Sequence, residues 1–286
     1  MIDAMRFGSP APKGAILREP RGCEAVPLFD PEISERWDRE WLMYLGNESM
    51  YPHLVPSTEL ALAGTIAGKT ARGVFYTELA RNDAYGVRGA LRAWCPGDLL
   101  AEKNVLEIGC GCGFFGKQIG LVCASYLGLD YSHLALTIAR ATSSSNCTFL
   151  HISDAGSLKS HAGKYDVMVG RHFFIHQNFE SSVVLLRLAK YLLRRGGFVC
   201  ADFYHRIPGQ PGNSLAAKAP LDREYPSSGF HYRAEEVIEL ARTCGFDIKS
   251  HVLDQQEQRR FVIFQAISRD GSSITDYPCA IDGSTA

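Results

Sequence analysis

The sequence predicts an α/β fold: a doubly wound, mostly parallel sheet with a C-terminal antiparallel hairpin and a helical N-terminal cap. Three observations carry this expectation. From Asn104 onward, short apolar runs alternate with helical stretches, the pattern of repeated βαβ units. A glycine-rich turn, Glu107-Ile108-Gly109-Cys110-Gly111-Cys112-Gly113, follows the first of these runs. Near the end, FDIKSHVL and RRFVIFQAI are two β-rich runs separated by Asp254 to Gln258, which reads as an antiparallel pair at a sheet edge.

Taken in order, residues 1–31 carry Pro10, Pro12, Pro20, Pro27 and Pro31, a composition that disfavours regular helix or a central strand. In ISERWDREWLMYL, Ile33, Trp37, Trp41 and Leu45 recur four residues apart and share one helical face that should pack on something. STELALAGTIAG, with Ser57 as N-cap, and GVFYTELARNDAYGVRGALRAWC read as further helices, so residues 1–103 are expected to form an arm and a helical lid. The predicted strands are NVLEIG, SYLGLD, TFLHIS, YDVMVG and GFVCADF, with helices over 114–124, 132–144 and 181–195. The last of these is expected to end at Arg194-Arg195-Gly196-Gly197, and YRAEEVIELARTCG to end at Gly245. Residues 104–267 then make the principal domain, 204–232 a lid insertion opened by Pro208, Gly209, Pro211 and Gly212, and 268–286 a loose Gly/Ser/Asp-rich tail.

Composition narrows the function. The 286 residues suffice for one full core with elaborations, and a formal net charge of -1 supplies no global attraction for nucleic acid, so a small-molecule partner is expected and no nucleic acid. Nine cysteines, an odd number without repeated CxxC or Cys/His spacing, read as reduced thiols and not as a metal site. No apolar run approaches spanning length and the N-terminus lacks a signal-peptide core, so a soluble, cytoplasmic protein without a membrane partner is expected. Oligomeric state is not legible.

The glycines of the loop let the chain turn sharply and expose bare backbone N–H groups to a ligand. Asp130 ends the second strand, where a carboxylate accepts hydrogen bonds from both ribose hydroxyls. Asp154-Ala155 follows the third strand and can present a carboxylate and an N–H to an adenine edge. An acidic residue followed by GxGxG, with Asp130, Asp154 and the final hairpin, resembles the class I S-adenosylmethionine-dependent methyltransferases over residues 104–267. The resemblance implies a Rossmann-like fold and S-adenosylmethionine as cofactor. Glu107, Gly109 and Gly111 would then line its methionine side, Asp130 would hold its ribose and Asp154 with Ala155 would face its adenine, with Cys110 and Tyr131 also among the cofactor-binding residues. Arg171 completes the expected cofactor set.

The stretch after the fourth strand, Gly170-Arg171-His172-Phe173-Phe174-Ile175-His176-Gln177, lies beside the sulfonium and acceptor in the family it resembles. Methyl transfer needs an aligned, unprotonated lone pair, and a histidine can remove the acceptor proton near neutral pH. His172 and His176 are candidates for that base, as is Tyr76 from the lid; capping a helix or holding a loop is the alternative for each histidine. Tyr76, Arg81 and Tyr85 could close over the cofactor, or simply form a solvated helix face. Asp202, ending the fifth strand, bonds local backbone, orients an acceptor amine or joins His205 at a metal.

The expected activity is methyl transfer to a nitrogen, oxygen or carbon of a small molecule. Three other readings share the loop. The cofactor itself can be cyclised or cleaved on this fold; the chain can sense the cofactor without catalysis; and Gly111-Cys112-Gly113-Phe114-Phe115-Gly116 also fits the GxGxxG of an NAD-dependent oxidoreductase.

Overall fold

The structure, a computed structural model, describes residues 31–45, 65–66, 69–70, 99–113, 116, 120–205, 215–217, 229–254 and 259–267. Helix α1 is Pro31–Leu45. The main sheet takes β1 (Asn104–Ile108), β2 (Ser125–Asp130), β3 (Cys147–His151), β4 (Tyr165–Gly170), β5 (Leu193–His205), β6 (His231–Tyr232), β7 (Phe246–Asp254) and β8 (Arg259–Ala266). Between them lie α2 (His133–Thr142), α3 (Ala155–Lys159), a 3-10 turn (Phe174–His176), α4 (Phe179–Leu192) and α5 (Ala234–Cys244).

The strands lie in the order β3-β2-β1-β4-β5-β8-β7, with β6 beside the last residues of β5. From β3 to β5 all pairs are parallel, and the β5–β8 and β8–β7 pairs are antiparallel. This is the Rossmann-like, mostly parallel arrangement with a terminal hairpin. The chain reverses direction across the sheet between β1 and β4, so a crevice opens at their carboxyl ends. Leu106, Ile108, Met168 and Val199 pack on one face against α4 and α5 residues such as Leu185, Leu188, Val237 and Leu240. Val105, Val167, Val169 and Cys200 belong to the second apolar layer, with Leu136 and Ala139 of α2. Burial on both faces explains why these strands read as continuous apolar runs.

Several boundaries differ from the sequence expectation. The fourth helix ends at Leu192 instead of running on to Arg195, because Leu193 turns extended (φ -76, ψ 144) and pairs with Tyr165. Arg194 forms an ion pair with Asp166, and Gly196 takes φ 71 where the β4–β5 register shifts, so Arg194 to Gly197 serve the strand and not a helix end. Thr65–Ile66, inside the run expected to be helical, pairs antiparallel with Lys69–Thr70 just after it; β-branched Thr65, Ile66 and Thr70 favour strand over helix. Of the helix expected over 114–124, residues 121–124 are turn and bend, with Leu121 and Val122 exposed. The helix expected over 73–95, most of 204–232, and the tail fall outside the described residues. Gly245 does end α5, in the left-handed conformation at φ 70.

Helix α1 lies across the carboxyl ends of β2 and β3. Ile33 is buried in the core, and the Ser34 hydroxyl donates to the Tyr131 carbonyl at 2.6 Å. Asp38 accepts from the Ser132 hydroxyl at 2.5 Å and from the Leu134 N–H at 3.0 Å, adding a second acceptor to the N-terminus of α2 that Ser132 already caps. Asp38→Ala should therefore lower stability by about 0.5–2 kcal/mol, the ordinary cost of losing a capping side chain, measured as a shift in the urea unfolding midpoint. An unchanged midpoint would show that α1 is not anchored through this carboxylate.

Candidate active site

The site begins where β1 ends. The loop is pinned to its neighbour strand, the N–H groups of Gly109 and Cys110 both donating to the Leu129 carbonyl at 2.8 and 3.1 Å. Gly109 and Gly111 adopt φ 80 and φ 51, and side chains are barred there twice over. A Cβ on Gly109 would fall 2.2 Å from Phe173 Cδ2, and one on Gly111 would fall 2.6 Å from Trp41 Cζ2. Aromatic rings from α1 and from the segment after β4 thus rest directly on bare loop backbone.

Asp130 is buried at the end of β2. Its Oδ2 accepts the Gly111 N–H at 2.8 Å and its Oδ1 accepts the Ser132 N–H at 2.9 Å. Burial raises its pKa to about 6 against the lowering effect of the Ser132, Gly111 and Tyr131 N–H groups, so it is ionised at neutral pH. A carboxylate offers about four lone-pair sites. Two are taken by backbone, which leaves both oxygens able to accept again.

Glu107 is also buried, and its Oε2 accepts the Tyr126 hydroxyl. Burial lifts its pKa to about 8, opposed by the Tyr126 bond and the Arg171 charge. Arg171 acts on Asp202 and on His172 as well, so it stands among all three. Asp202 is fully buried at β5; Oδ1 accepts the backbone N–H of His172 at 2.7 Å, and Oδ2 pairs with Arg259 at 2.9 Å. That anchor holds His172 at φ 55, a conformation disfavoured for a residue with a Cβ. His172 is exposed; desolvation, then the Arg171 and Arg259 charges, lower the pKa of its imidazole. His176 ends the 3-10 turn, with Trp37 of α1 edge-on at 5.4 Å between ring centres.

The remaining expected residues fall as follows. Tyr131 is buried, stacked on Phe173 at 6.3 Å. Cys110 is buried with its Sγ toward the Gly111 carbonyl, and burial raises its thiol pKa. The Asp154 carboxylate accepts the Ser157 N–H at 3.0 Å as the N-cap of α3, and the Ala155 N–H donates to the Ser153 carbonyl. Both groups expected toward adenine therefore have local partners in this structure. His205 contacts Arg260 and not Asp202, and no cluster of three metal-ligating side chains occurs among the described residues. Tyr76, Arg81 and Tyr85 lie outside those residues. Sequence reasoning missed Tyr126 and Arg259; it placed Trp41 on a packing helical face and Phe173 in the stretch after the fourth strand without seeing that both meet the glycine loop. Tyr126 left a trace, a phenolic hydroxyl inside a buried strand.

Residues 105–197 match the family described as "Methyltransferase domain". This segment is a class I, S-adenosylmethionine-dependent methyltransferase domain. The match favours the acidic-GxGxG reading of the loop over the overlapping dinucleotide one. The ubiquinone biosynthesis O-methyltransferase of Aromatoleum aromaticum is 32% identical over 103 residues, which cover 35% of this chain and 43% of that protein. Its counterpart in Acinetobacter baumannii is 25% identical over 158 residues, covering 52% of this chain and 66% of the relative. The chain thus spans less than two thirds of the length of these curated relatives. Among solved structures, magnesium protoporphyrin IX methyltransferase from Synechocystis with bound cofactor superposes with TM-score 0.49 at 14% identity, over 83% of this chain and 98% of that one. No helix among the described residues is long and apolar enough to cross a membrane.

The residues of the methyltransferase domain fit S-adenosylmethionine, the cofactor of its family. Asp130 retains acceptor capacity for a diol and Glu107 is the acid at the start of the loop that can meet an ammonium, whereas the Gly109, Cys110, Gly111 and Gly113 N–H groups expected to face a ligand are taken by Leu129, Asp130 and Cys110. The pKa of Glu107 also predicts how the domain's stability responds to pH. Between its ordinary 4.5 and about 8 the folded protein holds a proton that the unfolded chain has lost, so stability is greatest below this window and falls as pH rises through it. The fall is on the order of a few kcal/mol. Glu107→Gln cannot titrate and should flatten stability between pH 6.5 and 8, above the range in which Asp130 contributes; denaturant midpoints read across that range that still fall as in the parent protein would assign the proton elsewhere.

Proposed function

We propose that this protein transfers a methyl group from S-adenosylmethionine to a nitrogen, oxygen or carbon nucleophile of a small molecule. The observation that carries the reading is the buried, ionised Asp130, held on both oxygens by Gly111 and Ser132 N–H groups at the end of β2. Relatives named as ubiquinone biosynthesis O-methyltransferases make a hydroxyl-bearing acceptor the first class to assay. The near-neutral charge argues for a small acceptor and against a nucleic acid.

The cofactor, when bound, supplies an electrophilic methyl group on a sulfonium. The protein's part is to bind, align and deprotonate. Asp130 would hold the ribose and Glu107 the methionine end, so that an acceptor lone pair meets the methyl group in line. His172 is held at φ 55 by its N–H bond to Asp202 and its imidazole pKa is lowered, which makes it the weaker candidate for the base. His172 serves better as a fixed element, its N–H anchored on Asp202. His176, on the turn after β4 and against Trp37, is then the better candidate to take the acceptor proton.

Asp130→Ala should weaken binding of S-adenosylhomocysteine by about 1.5–3 kcal/mol, the range for hydrogen bonds to a charged group. Calorimetry on the folded variant tests it, and an unchanged affinity would remove Asp130 from the cofactor site. Mass spectrometry of the cofactor-derived product tests the reaction class: adenosylhomocysteine is expected, whereas methylthioadenosine would mean that the cofactor is cyclised or cleaved.

His176→Ala should reduce turnover by about a hundredfold or more, with cofactor affinity preserved, if the residue acts as base. A folded variant that keeps full product formation would return His176 to a packing role beside Trp37.

A further inference from the structure

The carboxyl edge of the sheet holds a second set of side chains that the cofactor site does not use. β5 ends at His205, β8 begins at Arg259 and β7 ends at Asp254, so the three strands finish together. Arg260 lies opposite Phe203, two residues before His205, while His251 lies opposite Val262, two residues after Arg260. Side chains alternate along a strand, so His205, Arg260 and His251 share one face. Asp202, Tyr204 and Arg259 point to the other.

The Arg260 guanidinium reaches His251 Nε2 at 3.0 Å through Nη1 and His205 Nδ1 at 2.9 Å through Nη2. Arginine has five N–H donors and no lone pair, so both ring nitrogens must accept. That fixes both rings as neutral, with the proton of His251 on Nδ1 and that of His205 on Nε2. The cluster therefore presents one full positive charge and only donors at its open sides. Nε of Arg260 is buried and has no hydrogen-bond partner.

The neighbouring arginines are satisfied differently. Arg259 pairs with Asp202, Arg194 with Asp166, Arg233 with Glu236 and Arg242 with Glu239. Among the described residues no carboxylate stands within ion-pair distance of Arg260; Glu235 of α5 influences it only through its field. Burial and then the Arg260 charge depress both histidines, and burial depresses Arg260 itself. Among the described residues Arg260 is supported by two neutral imidazoles and no carboxylate, and the guanidinium N–H groups left over from those two bonds suit an oxyanion.

We propose that Arg260, His205 and His251 form a binding site for an oxyanion, a carboxylate or a phosphate ester. The site does not depend on the methyl-transfer reading. The full chain is titrated with inorganic phosphate and separately with acetate, at constant ionic strength set by chloride, while the imidazole nitrogen signals of His205 and His251 are followed by NMR. Saturable shifts of both histidines at millimolar or lower concentration are expected, with phosphate alone indicating a phosphate ester and acetate alone a carboxylate. Arg260→Gln should weaken binding at least tenfold while leaving S-adenosylhomocysteine affinity unchanged. Should that variant not fold, His251→Gln on the edge strand should weaken it several-fold, read from His205. Linear, unsaturated shifts, or equal affinity in the folded variants, would overturn the site. Saturable phosphate binding by a protein that fails to bind S-adenosylhomocysteine would leave the oxyanion site standing and remove the methyl-transfer reading.

Discussion

The Asp130 carboxylate is the joint on which the site depends. It is buried where β2 gives way to α2, and it draws the Gly111 N–H from one side and the Ser132 N–H from the other. The first bond sets the height of the glycine loop over the sheet. The second fixes the residue that caps α2 and, through its hydroxyl, anchors α1 by way of Asp38. An unpaired buried carboxylate would cost several kcal/mol, so the loop, helix and N-terminal segment are bound to positions that satisfy it. The same backbone bonds offset the desolvation that raises its pKa, and leave it charged at neutral pH.

Glu107, Asp130 and Asp202 lie toward the carboxyl ends of three strands of one sheet and are all buried, yet each is balanced differently. Glu107 takes a tyrosine hydroxyl and stays largely protonated; Asp130 takes backbone N–H groups; Asp202 takes a backbone N–H and a guanidinium. The carboxyl edge therefore offers one neutral acid, one charged acceptor and one neutralised pair within a single fold element. Asp202 also links the final hairpin, through Arg259, to the segment carrying His172 and His176, so the antiparallel extension steadies the part of the crevice opposite the cofactor loop.

Much of this was legible beforehand, for reasons that lie in local chemistry. Strands buried on both faces must be apolar throughout, so NVLEI, SYLGLD and YDVMVG stand out, and the GxG pattern marks backbone that has to turn with φ positive. Gly245 closes α5 as a terminal glycine should. Where local signals misled, a longer-range contact had prevailed. Arg194 to Gly197 look like a helix end, but the pairing of Leu193 with Tyr165 and of Arg194 with Asp166 draws them into β5.

The sequence by itself determined the sheet, the glycine loop and the acids at the strand ends, because period, turn chemistry and burial act over a few residues. Only the tertiary structure decided what those acids meet. Tyr126 faces Glu107 because two parallel strands lie in register; Trp41 rests on Gly111 because α1 crosses the sheet edge; Arg259 and Arg260 reach Asp202 and the two histidines because an antiparallel hairpin returns beside β5. These partners are separated by 9 to 70 residues along the chain. Such contacts follow from strand order and register, which no local pattern encodes.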